Sequence, residues 1–130
     1  MELNLKVGMK GTMETTVTDD KTARHLGSGG LKTYATPAMV SLLEGAAVAA
    51  IDPHLPEGYA SVGVDLNIQH LAATPLGKSV RAEAEVTEID RRRVVFTVTA
   101  WDEHEKIGEG IHARFVIDVD KFQKRLQDKV

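Results

Sequence analysis

The chain has 130 residues, enough for one domain with a real core and too few for a core plus a separate catalytic domain. Hydrophobic residues make up 42% and charged residues 27%, a balance that excludes a disordered tail and a membrane protein. A net charge of -3 argues against a nucleic-acid partner, and the absence of cysteine removes disulfides, thiolate nucleophiles and zinc–cysteine sites.

In chain order, Gly11–Val17 is rich in β-branched residues and reads as a strand. Thr18, followed by two aspartates, reads as the cap of a short helical turn through Arg24. The Gly27-Ser28-Gly29-Gly30 run then predicts a mobile loop ending at Leu31. The first residues, Met1 to Val7, have neither a basic region nor a continuous apolar stretch, so no signal peptide is expected. Nowhere does an apolar run approach the roughly 20 residues that span a bilayer, and the expected location is the cytoplasm.

Thr36 as N-cap and Pro37 at the first helical position start a helix that Asp52-Pro53 closes after Ile51. It is apolar almost all round and rich in alanine, as expected of a central helix wrapped closely by a sheet. After the Pro56-Glu57-Gly58 turn, Ser61 to His70 alternates. Val62, Val64, Leu66 and Ile68 fall on one face, joined by His70, while Asp65 falls on the other. Val80 to Val86 alternates likewise, Arg93–Trp101 and Ile107–Asp118 supply two more strands, and Asp120–Val130 predicts a short surface helix with Phe122 and Leu126 at i, i+4. The basic run Arg91-Arg92-Arg93 reads as a solvated hairpin tip. One strand, a long buried helix and four antiparallel strands make a single α+β domain over residues 1–130 with helix on sheet.

Glu44 is the sole ionisable group between Pro37 and Ile51, and a carboxylate among leucines and alanines needs a partner or a task. The structural alternative is an exposed stripe or an ion pair with a neighbouring chain. Thr36 lies eight residues, about two turns, before Glu44, so both can share a face. Simple capping would also account for Thr36, and a hydrogen-bonded core histidine would account for His70. The five histidines show no paired ligand spacing, so no metal is expected, and no phosphate- or dinucleotide-binding motif indicates a cofactor.

Three stretches together resemble the fluoroacetyl-CoA thioesterase family of hotdog proteins: Tyr34-Ala35-Thr36-Pro37-Ala38-Met39 leading to Glu44, Ser61-Val62-Gly63-Val64, and His70-Leu71-Ala72-Ala73-Thr74-Pro75-Leu76-Gly77. The similarity extends from Thr22 to Phe115. It implies a five-stranded antiparallel sheet wrapped around a long helix, a homodimer of two such sheets, and acyl-CoA bound near the subunit interface. Thr36, Glu44 and His70 match the family's catalytic set, and Gly63 matches a glycine next to the substrate. On this resemblance the activity is hydrolysis of an acyl-CoA thioester, with Glu44 as nucleophile or general base and His70 assisting proton transfer. Thr36 would hold the carboxylate or the thioester carbonyl. The alternatives are a non-catalytic acyl-CoA-binding sensor or carrier and, third, a hydratase using Asp65. Where the fluoroacetate-specific member carries an aromatic lid residue, this chain has the Gly27–Leu31 loop and Tyr34, so the expected acyl group is a different, small-to-medium one.

Overall fold

A computed structural model describes residues 2–130; Met1 lies outside the described residues. The elements run β1 (Lys10–Thr16), a 3-10 turn (Asp19–Lys21), α1 (Ala23–Leu26), α2 (Thr36–Ile51), a second 3-10 turn (Asp52–His54), β2 (Tyr59–His70), β3 (Ser79–Asp90), β4 (Arg93–Asp102), β5 (Lys106–Asp118) and α3 (Val119–Gln127). The five strands form one antiparallel sheet in the order β1-β3-β4-β5-β2. The sequence of elements and the helix-on-sheet layout match the expectation.

The alternation in β3 and β4 does what its periodicity implies: Val80, Ala82, Ala84 and Val86, then Val94, Phe96, Val98 and Ala100, all point into the core. Met39, Leu43, Ala46, Ala47, Ala50 and Ile51 meet them from α2. Alanine lets the sheet come close. At Gly11 of β1, a Cβ would lie 2.2 Å from the Ala46 carbonyl oxygen and 2.4 Å from the Ala50 nitrogen, so strand backbone rests on helix backbone. The helix lies chiefly over β1, β3 and β4 and touches β2 sparingly. The β2–β5 side of the sheet is therefore left partly open.

Two caps differ from the sequence reading. Thr18 does stand at the cap position of the first turn, but its hydroxyl goes to the Asp20 carboxylate and not to a backbone amide, and Thr22 caps α1 by accepting from the His25 amide at 3.3 Å. At α2 the cap position is Ala35, with Thr36 and Pro37 inside the first turn. Its hydroxyl is thereby free for another partner. At the other end of the chain, the Asp118 carboxylate accepts from the Lys121 amide at 3.2 Å and starts α3.

The larger correction is in β2. Its pairing with β5 shifts between Gly63 and Asp65, where Gly63 faces Arg114 and Asp65 faces Ala113, so Val64 is the extra residue of a β-bulge. A bulge resets parity. Ser61 and Gly63 point inward before it and Leu66, Ile68 and His70 after it, whereas uninterrupted alternation puts Val62 and Val64 on the face of His70. Val64 is 51% exposed. Asp65 does lie on the face opposite His70, with its carboxylate 3.6 Å from Arg93 Nη2.

Candidate active site

Inward-facing side chains of β2 and β5 meet α2 in two clusters. The first joins Thr36, in the first turn of α2, to His70, at the end of β2: Thr36 Oγ1 and His70 Nδ1 are 2.7 Å apart. The second nitrogen, Nε2, is buried with no hydrogen-bond partner among the described residues. Burial holds the His70 pKa below the usual histidine value, with the Ala72 backbone acting the other way. An open cavity of about 350 Å³ is lined by Thr36, His70, Tyr34, Leu71, Ala23 of α1 and Ser28 of the glycine-rich loop.

The second cluster is built around Glu44, midway along α2. Its Oε2 lies 3.5 Å from Nη1 of Arg114, a β5 side chain that is 8% exposed against 35% for Glu44. Arg114 is held on every side. Its Nε donates to Ser61 Oγ at 2.7 Å, Nη2 donates to the Ser61 carbonyl at 3.0 Å, and Nη1 lies 3.1 Å from His112 Nε2. Ser61 Oγ in turn donates to Asp52 at 2.5 Å, and the Ser61 amide donates to the same carboxylate at 3.2 Å. Burial works against the Arg114 charge, and the Asp52 and Glu44 carboxylates work for it. Gly63 completes the cluster, because a Cβ there would stand 2.7 Å from Glu44 Oε2.

The structure thus brings Thr36 to His70 and Glu44 to Gly63, but as two groups. Eight residues of helix separate Thr36 from Glu44, about 12 Å at 1.5 Å per residue. Thr36 does not hold the Glu44 carboxylate within one chain. Sequence reasoning missed Arg114, His112, Ser61 and Asp52. Alternation through Ile111-His112-Ala113-Arg114-Phe115 could have found the first two, since it puts two basic side chains together on one face of β5. Asp52, before Pro53, reads in the sequence only as a helix stop. Among the described residues, no group of three or more His, Asp or Glu side chains is placed to hold a metal ion.

A long helix wrapped by five antiparallel strands in this order, with an acid on the helix facing the open side of the sheet, is a hotdog protein of the thioesterase type. A hot-dog-like protein from Thermanaerovibrio acidaminovorans superposes with a TM-score of 0.88 at 30% identity, over 96% of this chain and 93% of that one. The fluoroacetyl-CoA thioesterase FlK superposes with a TM-score of 0.90 at 36% identity, over 97% and 98% of the two chains. Fluoroacetyl-CoA thioesterase of Streptantibioticus cattleyicolor is 36% identical over 135 residues, 99% of this chain and 97% of that protein. Residues 17–120 match the family model for the fluoroacetyl-CoA-specific thioesterase. The chain belongs to that family.

Proposed function

We propose that the protein hydrolyses a small-to-medium acyl-CoA thioester to the free acid and CoA, working as a homodimer whose sites are shared between subunits. The observation that carries this reading is the Glu44 carboxylate, set over the bare backbone of Gly63 and beside Arg114, on the same side of α2 as the Thr36–His70 pair. Water adds across the thioester, the C–S bond breaks, and the thiol leaves with a proton. Direct attack by Glu44 and activation of a water by it both need a carboxylate oxygen held at the thioester, and Arg114 Nη1 stands 3.5 Å from that carboxylate. His70, with Thr36 fixing its ring, supplies and receives the proton, and backbone N–H groups at Gly63 or the start of α2 face the developing oxyanion.

About 12 Å along α2 is too far for Thr36–His70 and Glu44 to meet one thioester carbon in a single chain. The sheet edge at β2 has a free side, and it exposes apolar residues: Val64 at 51% and Leu66 at 42%. Such an edge is suited to two-fold self-pairing. Antiparallel pairing of β2 with its own copy sets the His70 end of one strand against the Gly63 end of the other. That brings Thr36 and His70 of one subunit toward Glu44 of its partner. A cysteine-free chain fits a reducing, cytoplasmic setting.

The test is thiol release from a panel of short, medium, branched and aryl acyl-CoAs, with wild type, Glu44→Ala and His70→Ala. Both variants lose turnover when made alone. Refolded together, they regain about a quarter of wild-type activity, because half of randomly paired dimers carry one intact site out of two. Saturable acyl-CoA binding without turnover on any substrate would instead make the protein a sensor or carrier.

A further inference from the structure

Arg114 reaches Glu44 from the sheet, and the ring that steadies it, His112, is fully buried and stacked on Phe96 of β4 with centroids 6.0 Å apart. His112 Nδ1 lies 2.8 Å from the Asp65 carbonyl oxygen, and Nε2 lies 3.1 Å from Arg114 Nη1. A carbonyl oxygen only accepts and a guanidinium nitrogen only donates. The ring must therefore carry its proton on Nδ1 and a bare lone pair on Nε2, which is one neutral tautomer. Asp65 is the residue that follows the bulge, so the interruption in β2 is tied through this ring to Arg114 and on to α2.

We infer that His112 is a positioning residue of the thioesterase site: as the neutral Nδ1–H tautomer, it holds the Arg114 guanidinium where Nη1 faces Glu44. The inference rests on the hydrolase reading above. Protonating His112 would replace an acceptor with a donor and set two cations in contact, which releases Arg114 from its place. The groups facing the ring are Arg114 on its own strand, Glu44 from α2, the Asp65 carbonyl from β2 and Phe96 from β4. The Asp65 carboxylate is drawn aside to Arg93. The balance keeps His112 neutral: burial first, then Arg114, lowers its pKa, against the Asp65 backbone, Glu44 and the Asp65 carboxylate.

The experiment has two arms. Imidazole 15N spectra of the full chain near neutral pH are expected to show His112 protonated at Nδ1 and bare at Nε2; an Nε2–H or doubly protonated ring overturns the inference. This arm needs no turnover, so it stands apart from any failure of the hydrolase reading. In the second arm, His112→Phe keeps the ring shape and removes both nitrogens, while His112→Gln returns an acceptor toward Arg114. His112→Phe is expected to lower kcat at least about tenfold with little change in KM. His112→Gln should recover most of that and show a shallower acid limb in its kcat/KM profile. Wild-type kcat in folded His112→Phe, or equal damage in folded forms of both variants, overturns the inference.

Discussion

Gly63 and Glu44 are matched by the absence of a side chain: a Cβ on Gly63 would sit 2.7 Å from Glu44 Oε2, inside contact distance. The two nearest other atoms, on His112 and Arg114, stand at 3.3 and 3.4 Å, so the methyl group has no free direction. Gly63→Ala is expected to push the carboxylate off Arg114 and lower kcat/KM by about 10- to 100-fold. The sheet hydrogen bonds remain, so thermal unfolding should shift little. Kinetics and melting measured on the same preparation check both halves.

Glu44→Gln keeps the shape of the side chain and removes its charge. Loss of a positioned base or nucleophile costs about 100-fold or more in kcat. Folded Glu44→Gln with near-wild-type turnover would mean that Glu44 only fills the gap beside Arg114.

Thr36 Oγ1 and His70 Nδ1 are 2.7 Å apart, and a hydroxyl rather than a cap explains the residue. Thr36→Ser should hold activity within about a few-fold, and Thr36→Val should lose about tenfold or more, since a fixed ring is worth that much to proton transfer. Equal activity in both variants would reduce Thr36 to packing.

His70 and His112 both have pKa values lowered from 6.5 by burial. The unfolded chain therefore binds more protons than the folded one below that pH. Their contribution to stability is complete above about pH 6.5 and is lost as pH falls through the lower folded values. Urea midpoints measured from pH 8 downward should fall below about pH 6.5, and less steeply in His112→Gln, which has one fewer group to charge.

Two glycines where β1 meets α2, Gly11 on the strand and Gly45 on the helix, should respond in opposite ways to alanine. A methyl at Gly11 meets helix backbone at 2.2 and 2.4 Å, so Gly11→Ala is expected to cost about 3 kcal/mol or more. At Gly45 the nearest atoms, from 3.3 Å, belong to the flexible side chain of Met13, which is 41% exposed and can move aside. Gly45→Ala should gain about 0.5 kcal/mol from helix propensity. Chemical denaturation distinguishes the two.

The sequence by itself determined the elements and much of the core. Threonine, proline and alanine between Thr36 and Ile51 specify α2, and the strict alternation of Val80 to Val86 specifies β3, because both signals act within a few residues of chain. Glu44 stood out for the same local reason, as one ion in an apolar helix. His70 was placed on the inward face, although Val62 and Val64, counted with it, belong to the other side of the bulge.

Only the tertiary structure decided that bulge, and with it the floor under Glu44. A strand's register is fixed by the partner it pairs with, and the shift between Gly63 and Asp65 exists only against Arg114 and Ala113, about 50 residues further on. The chain of Asp52, Ser61, Arg114 and His112 likewise closes only in the fold, where Arg114 of β5 meets Ser61 of β2, 53 residues away, and each polar group is satisfied by the next. Hydrophobic periodicity says which way a side chain points. Hydrogen-bond complementarity across the fold says what it meets, and here that is what turns a half-buried acid into a candidate catalytic one.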